Sequence, residues 1–368
     1  MAALIKTQTS SLVAALARCA LPVGGRQSQR IPALGAVCLA GGRDGLSVTA
    51  TTFDGTITTR LEAAAEGEVA VPLERLAALV RHFPANAEIA LASDDHAAMV
   101  TSGKARFALP VFRIADLLER PALGEHTGCV KLNAKIARDL FARPAFAASI
   151  EESRFCLKGI CLHNAGDDLV AVATDGFRLC RVTAPAKTAL SLDRSLIIPN
   201  EMVKTIDRLL ANTSGNVTLR RSERLFAVEG AGFALTTTRI DAIYPDYELL
   251  IPCEGPNVVI VSRGLLSECL ARFAAIASPE IRTDVVSLRW NADGFHLGAG
   301  GSEDYLAADV KGEGETAVQI HYLAELIGAL RGDNVRISVA EPGSMILVTD
   351  PQDESFFAGQ MPIRPRSS

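Results

Sequence analysis

The stretch IIPNEMVKTIDRLL (residues 197–210) decides the fold, because two other stretches of the chain are built in the same way. AVPLERLAALV (residues 70–80) and VQIHYLAELIGAL (residues 318–330) also predict a short strand that runs directly into an amphipathic helix. A second marker, a pair of apolar residues on a helical stripe, occurs at Leu12 and Leu16, at Ile136 and Leu140, and at Leu266 and Leu270. Both markers recur about every 125 residues, which predicts three copies of one domain, each large enough for its own core.

Alternating apolar and polar residues fill the space between these markers. They form ALGAVCLAGGRDGLSVTATTFDGTITTRL (33–61), RFCLKGICLHNAGDDLVAVATDGFRLCRV (154–182) and DVVSLRWNADGFHLGAGGSEDYLAADV (284–310). Each stretch predicts three short strands, buried on one face and joined by turns that contain glycine. Because strands outnumber helices, the predicted class is α+β with largely antiparallel sheets. Proline- and glycine-bearing stretches at 119–128 and 251–257 predict domains at 1–125, 126–253 and 254–368.

The composition is that of an ordinary globular protein, with 48% hydrophobic and 21% charged residues among 368. No run reaches the roughly 20 apolar residues that a membrane span needs. The N-terminal stretch has some features of a signal peptide, but its helix recurs in the other copies, which favours a place in the fold. The 8 cysteines are scattered without a C-x-x-C pair, which predicts reduced core thiols and a cytoplasmic location.

Motifs for catalysis or for cofactor binding are missing from the sequence. The dipeptide Gly103-Lys104 is followed by Ala105, so it is no phosphate-binding loop, and the glycines of GAGGSED (298–304) fit a β-turn. The 6 histidines lack the spacing of zinc sites, and no G-x-S-x-G motif occurs. We therefore expect no metal, no cofactor and no catalytic residue, and a binding scaffold rather than an enzyme.

Several short motifs together resemble the bacterial DNA polymerase III beta subunit family, the sliding clamps. They are GGRQSQRIPALGAVCL (24–39), SRFCLKGICL (153–162), VATDGFRL (172–179), IIP (197–199), YPDY (244–247) and MPIR (361–364). The resemblance covers nearly the whole chain and implies the DNA-clamp fold, with three similar domains per chain, antiparallel sheets outside and helices lining a ring. It further implies a non-catalytic processivity factor, a ring-shaped homodimer that encircles double-stranded DNA, slides along it and tethers the replicative polymerase.

The charge pattern fits DNA binding only if the basic residues are gathered in one place, since the net charge is −5. One predicted helical segment carries four basic residues, Lys131, Lys135, Arg138 and Arg143. On another helix, Lys204 and Arg208 are four residues apart and therefore share a face. The expected DNA-binding residues, the first two supported also by the resemblance, are Arg26, Arg81, Lys135, Arg138, Lys204 and Arg208. Such a set suits sequence-independent contact with phosphates.

The resemblance also implies a head-to-tail dimer, in which the SGKARFAL edge (102–109) of the first domain meets an edge of the third. Opposite charges agree with this, with Lys104 and Arg106 on one side and Glu303 and Asp304 on the other. Phe107, Leu109 and Ile276 would form the apolar centre.

A groove between the second and third domains is the implied site for short peptide motifs of DNA polymerase catalytic subunits and of the clamp loader. Carried over position by position, it comprises Arg154, Leu157, Thr174, Gly176, Phe177, Arg178, Leu179, Pro245, Leu250, Met361, Pro362, Ile363 and Arg364. Its apolar residues would form the floor, and Arg178 and Arg364 would donate hydrogen bonds to peptide carbonyls or acidic flanks. Ring opening and ATP use would belong to the loader, so this chain needs no cofactor.

The sequence departs from the family pattern at three places. Phe177 stands where the family usually has histidine, Asn200 and Glu201 follow Pro199 where basic residues are common, and four residues follow MPIR. These departures leave a second interpretation, that the chain is a divergent second clamp that serves a specialised polymerase. A clamp-like peptide-binding scaffold that no longer encircles DNA, and an enzyme with an unrecognised site, are the rival classes.

Overall fold

The computed structural model describes residues 3–23, 31–94, 96–118, 123–124, 128–186, 196–278 and 284–363. Residues 1–138, 186–191 and 201–239 form one compact unit, and residues 139–185, 192–200 and 240–368 form a second. Among the described residues, no helix combines the length and apolar character that crossing a membrane requires.

The three sequence copies share one order of helices and strands, as the two markers predict, and differ by one short strand among the described residues. The first copy contains β1 (Leu4–Gln8), α1 (Thr9–Cys19), β2 (Ala36–Gly42), β3 (Gly45–Thr51), β4 (Gly55–Leu61), β5 (Ala64–Glu66), β6 (Glu68–Pro72), α2 (Leu73–Val80), β7 (Glu88–Ser93), β8 (Ala97–Ser102) and β9 (Ala105–Pro110).

The second copy repeats this order with four described strands between its two helices, and two of its short 3-10 turns border the candidate site. Its elements are β10 (Gly128–Asn133), α3 (Ala134–Ala142), β11 (Gly159–Ala165), β12 (Asp168–Thr174), β13 (Arg178–Pro185), β14 (Leu196–Pro199), α4 (Asn200–Ala211), β15 (Asn216–Arg221), β16 (Leu225–Gly230) and β17 (Phe233–Thr238). The 3-10 turns that matter below are Glu152–Leu157 and Tyr247–Leu250.

The third copy, like the first, has five strands between its two helices. It contains β18 (Asn257–Ser262), α5 (Arg263–Ile276), β19 (Val285–Asn291), β20 (Gly294–Ala299), β21 (Ser302–Leu306), β22 (Ala308–Lys311), β23 (Gly314–Gln319), α6 (Ile320–Gly328), β24 (Asn334–Val339), β25 (Ile346–Asp350) and β26 (Asp353–Gln360). The predicted α+β class is confirmed, and the strands pair antiparallel.

The helices bury the stripes that the sequence marks, with one correction. Leu12 and Leu16 on α1 are buried, and so are Leu266 and Leu270 on α5. On α3, however, Ile136 is 38% exposed. The buried positions there are Ala134, Ala137, Leu140 and Phe141. A buried stripe through Ala137 and the bulky Phe141 covers more apolar area than one through Ile136. The buried face of α3 is therefore shifted by one residue from the predicted one.

The sheets join neighbouring copies rather than ending with them. In the first unit, an eight-stranded sheet has the order β10-β15-β16-β17-β4-β3-β2-β6, and a five-stranded sheet has the order β5-β1-β7-β8-β9. In the second unit, a nine-stranded sheet runs β14-β11-β12-β13-β26-β25-β24-β18-β22, and a four-stranded sheet runs β21-β20-β19-β23. The β17–β4 and β13–β26 pairs therefore connect the copies through backbone hydrogen bonds.

Candidate functional site

The turn between β12 and β13 is built almost entirely by its own hydrogen bonds. The amides of Phe177 and Arg178 donate to Asp175 Oδ1 at 2.9 and 3.0 Å. Thr174 Oγ1 accepts from the Gly176 amide at 3.1 Å and donates to the Arg178 carbonyl at 2.6 Å. Gly176 has a φ of +91°, a conformation that residues with a Cβ rarely adopt. The sequence thus fixes a rigid turn that presents the Phe177 side chain, which is 48% exposed.

Arg154 lies across this turn. It donates a hydrogen bond from Nη1 to the Asp175 carbonyl, and its Nε is 3.1 Å from a carboxylate oxygen of Glu151. Its guanidinium carbon lies 5.3 Å from the centroid of the Phe177 ring, within the range of a cation–π contact. A Cβ on Gly176 would come within 2.8 Å of Arg154 Nη1. Glycine at this position therefore has two physical reasons, the backbone conformation and the closeness of the guanidinium.

Arg178 is held inside the chain, which corrects the expectation that its donors would be free for a peptide. Its Nε donates to Asp175 Oδ2 at 3.0 Å, and its Nη1 donates to Glu325 on α6. The guanidinium carbon also lies 4.3 Å from the ring centroid of Tyr322. A guanidinium whose donors are already bound to two carboxylates orders its surroundings more than it offers hydrogen bonds.

The floor beneath the turn is a buried apolar cluster. Leu157 and Leu179 pack in it with Tyr244 and Tyr247 of the YPDY motif. His163 Nε2 lies 2.9 Å from the Tyr247 hydroxyl oxygen, which ties the motif to β11. Burial raises the pKa of Tyr244, so its hydroxyl stays neutral at physiological pH. Leu157, Thr174 and Leu179 therefore support the site from below instead of lying open at its surface.

Apolar side chains remain exposed around this floor. Leu250 is 56% exposed, and Phe177, Pro245 and Met361 are exposed as well. The Met361 amide donates to the Phe177 carbonyl at 2.7 Å, and the Ile363 amide donates to the Ala317 carbonyl at 2.7 Å. Residues 361–363 thus run from the end of β26 along the turn. Arg364 lies outside the described residues.

Sequence reasoning missed several residues of the site. His163, Tyr247, Tyr322 and Glu325 all contact residues of the turn or its floor. The YPDY motif points to Tyr247, but no local pattern points to Tyr322 or Glu325. Both lie well over a hundred residues after Arg178 in the sequence and before the C-terminal motif. Only the tertiary structure brings α6 to the turn.

The candidate DNA-binding residues of the first unit gather partly on α3 and α4. Arg138 Nε lies 2.6 Å from Asp207 Oδ1, which brings α3 beside the face of α4 that carries Lys204 and Arg208. Lys204 Nζ lies 2.9 Å from a carboxylate oxygen of Glu201. Lys135, Arg208 and, just after α2, Arg81 are exposed. Arg26 lies outside the described residues.

Two basic residues that the sequence groups with them are placed differently. Lys131 lies on strand β10, not on the helix. Arg143 is only 7% exposed, pairs with Asp353 at 2.8 Å and stacks 4.2 Å from the Phe356 ring centroid. Its planar guanidinium and aliphatic stem allow this burial because a carboxylate pairs with the charge and a ring stacks on the guanidinium. It is a structural residue.

The two segments predicted for the subunit interface are edge strands of their sheets. β9, with Lys104 in the turn before it and Arg106 and Phe107 exposed along it, is the last strand of the five-stranded sheet. The Phe107 ring contacts Phe83, with centroids 5.9 Å apart.

β21, which carries Glu303 and Asp304, is the last strand of the four-stranded sheet. Ile276, at the end of α5, is exposed. Two details correct the expectation. Leu109 is buried, since it points into the core beneath its own sheet, and Asp304 Oδ2 already accepts from Arg272 Nε at 3.0 Å. Edge strands with unpaired backbone groups are natural sites for strand addition.

The described residues contain no group of histidine, cysteine and acidic side chains arranged to hold a metal ion. The arrangement above offers hydrogen bonds, apolar surface and charge. Its chemistry is that of binding.

Family models match almost the full length of the chain. The model of the DNA polymerase III beta subunit N-terminal domain matches residues 4–119, that of the central domain matches residues 131–246, and that of the C-terminal domain matches residues 248–364.

Individual proteins agree with these matches. The chain is 29% identical over 352 residues to the beta sliding clamp of Caulobacter vibrioides, covering 91% of this chain and 93% of that protein. It is 25% identical over 354 residues to the beta sliding clamp of Escherichia coli K12, covering 93% and 94%. Among solved structures, the Caulobacter crescentus beta sliding clamp matches with a TM-score of 0.90 at 27% identity, over 99% of this chain and 100% of that one. The sliding clamp of Pseudomonas aeruginosa bound to griselimycin matches with a TM-score of 0.91 at 25% identity, over the same shares.

Proposed function

The chain belongs to the DNA polymerase III beta subunit family, the non-catalytic sliding clamps of DNA replication, and from this premise we propose how its own residues hold partners, DNA and a second subunit. Clamps of this family are dimeric rings that bind DNA and the peptide motifs of partners such as the polymerase. The chain is accordingly a processivity factor of the polymerase holoenzyme.

The turn at Asp175–Arg178 and the residues around it form the proposed binding site for polymerase and loader peptides. The observation that carries this is an exposed apolar rim on a rigid frame. Phe177, Leu250 and Met361 are exposed, while the backbone that presents them is fixed by hydrogen bonds. A preformed apolar groove needs little ordering on binding, so most of the energy from burying peptide side chains remains as affinity.

Phe177 gives this groove a character of its own. An aromatic ring in place of the family's usual histidine removes a polar group and enlarges the apolar surface, and Arg154 lies close to that ring. We expect peptides with bulky or aromatic anchors to bind best, with dissociation constants in the micromolar range, about −8 kcal/mol.

A labelled peptide from the tail of a replicative polymerase tests the groove, titrated by fluorescence anisotropy. Removal of residues 361–368 and, separately, Leu250→Ser should each weaken binding about tenfold, because both remove apolar contact area. Leu4→Ser is the matched control. Leu4 is 53% exposed and Leu250 56%, but Leu4 lies on β1 in the other compact unit. Unchanged affinity in the truncated, folded dimer would contradict the assignment.

For DNA, we propose sequence-independent contact by Arg26, Arg81, Lys135, Arg138, Lys204 and Arg208. The ion pairs of Arg138 and Lys204 with acidic neighbours support weak binding, since a cation that already has a carboxylate partner gains less from a phosphate. Weak phosphate contact suits a ring that must slide, and the net charge of −5 disfavours tight binding of free DNA. Retention would come from encirclement.

For the homodimer, we propose a head-to-tail contact between β9 of one subunit and β21 of the other. Two edge strands support this, since pairing them would continue a sheet across the interface. Lys104 and Arg106 would face Glu303 and Asp304, with Phe107 and Ile276 in the centre.

We also propose domain boundaries at residues 125 and 253 and a cytoplasmic location for the protein.

A further inference from the structure

We propose that Glu325, on helix α6 in the third sequence copy, is a positioning residue for the peptide groove. It acts through Arg178, and thereby holds the Asp175–Phe177 turn in its binding conformation. The inference rests on the proposed function of that turn, but it concerns a residue that lies outside the groove motifs.

Arg178 is the link, because its guanidinium has two carboxylate partners, one in the turn and one on α6. Nε donates to Asp175 Oδ2 at 3.0 Å, and Nη1 donates to Glu325. The guanidinium is planar and its donors diverge in a fixed fork, so the position of one partner constrains the other. Arg178 is only 10% exposed on its side chain, which limits alternative orientations and shields the pair from solvent.

Asp175 passes this constraint to the backbone. While Oδ2 accepts from Arg178, Oδ1 accepts from the amides of Phe177 and Arg178 at 2.9 and 3.0 Å. A carboxylate that rotates away from Arg178 also leaves these amides. The exposed ring of Phe177 and its carbonyl, which accepts from the Met361 amide at 2.7 Å, depend on the same turn. Through Arg178 and Asp175, Glu325 is thus connected to Phe177 and Met361, although it would not touch a peptide itself.

Tyr322 completes the support from α6. Its ring centroid lies 4.3 Å from the Arg178 guanidinium carbon, one turn before Glu325 on the helix. Burial and the nearby carboxylate of Asp175 raise the pKa of Tyr322, which agrees with its position among these acidic groups. The Tyr322 ring limits how far the Arg178 guanidinium can move, and the hydrogen bond to Glu325 sets the orientation of that guanidinium.

Glu325 is a practical target because its side chain is 48% exposed, so its removal leaves no buried cavity. Three variants separate the roles. Glu325→Ala removes both charge and acceptor, and Glu325→Gln keeps an acceptor without the charge. Glu229→Ala, which removes a partly exposed carboxylate paired with Arg220 at 2.9 Å in the other compact unit, is the matched control.

Two measurements on the full-length dimer test the proposal. The first is the affinity for the labelled polymerase peptide. We expect Glu325→Ala to bind about fivefold more weakly, Glu325→Gln to fall between it and wild type, and Glu229→Ala to match wild type. The second is hydrogen exchange in the free protein, where the amides of Phe177 and Arg178 should exchange several-fold faster in Glu325→Ala, with the melting temperature unchanged.

The two measurements keep this inference distinct from the proposed function. If wild type binds the peptide and Glu325→Ala equals wild type in both affinity and exchange, the positioning role is overturned while the groove stands. If wild type binds no peptide, the proposed groove fails, and exchange at residues 176–178 alone decides whether Glu325 holds the turn. If Glu229→Ala loses as much affinity as Glu325→Ala, the inference is also overturned, because the loss would then come from the change in net charge and not from the contact with Arg178.

Discussion

Replacing Gly176 by alanine should weaken binding at the proposed peptide groove more than it destabilises the fold. The φ of +91° is strained for a residue with a Cβ, which costs about 1–2 kcal/mol of stability. For a compact unit of this size the melting temperature should fall by about 3–6 °C. The new Cβ would also come within 2.8 Å of Arg154 Nη1, the far end of a flexible side chain, so Arg154 would move away.

That movement has a functional consequence. Arg154 would lose its hydrogen bond to the Asp175 carbonyl and its position beside the Phe177 ring, 5.3 Å from the centroid. A hydrogen bond and a cation–π contact of this kind contribute about 1 kcal/mol, which corresponds to roughly fivefold in affinity. Anisotropy titration with the polymerase peptide and thermal melts of the same samples measure both effects.

Gly166→Ala is the matched control, because it separates backbone strain from the contact with Arg154. Gly166 lies in the turn between β11 and β12 with a φ of +61°, and a Cβ there meets no atom within 4 Å. We expect it to lose about 1 kcal/mol of stability while its peptide affinity stays within about twofold of wild type. The reasoning is refuted if Gly176→Ala keeps full affinity, or if Gly166→Ala loses as much.

Three other predictions concern stability, assembly and DNA. Asp353→Asn should lower unfolding free energy by about 2–4 kcal/mol at pH 7, since Arg143 is left buried without its carboxylate. Burial raises the pKa of Asp353, but hydrogen bonds from Ser355 and Arg143 outweigh it and hold that pKa below its ordinary value. The difference between variant and wild type in denaturant titrations should therefore persist above about pH 4 and vanish as the pH falls through the lowered pKa; a difference that grew in acid would contradict this. Reversing the charges of Lys104 and Arg106 should shift sedimentation from dimer toward monomer, whereas a wild type that is monomeric at micromolar concentration would exclude the proposed interface. Protein loaded onto closed circular DNA should resist salt and dissociate once the circle is cut, and equal salt sensitivity on circular and linear DNA would favour a scaffold that does not encircle it.

The sequence by itself determined the repetition and the fold class, and its resemblance to a family supplied the residues of the proposed groove. Prolines at 72 and 199 end strands and lead into helices, and alternation marks the strands between, because these signals are local. Thr174, Gly176 and Phe177 entered as candidate site residues through the family resemblance, carried by the VATDGFRL motif, and the hydrogen bonds of their turn lie within that same motif.

Other features were decided by the tertiary structure alone, for a physical reason in each case. Arg143 looks like a surface cation in sequence, but Asp353 and Phe356 come from distant elements and make its burial favourable. Ile136 and Ala137 fit a helical stripe nearly equally well, and packing of Phe141 selects the face. Arg178 carries the same charge whether free or paired, and only the approach of α6 engages it with Glu325 and Tyr322. Local pattern specifies elements and turns, whereas the partners of a charged side chain depend on which distant elements the fold brings together.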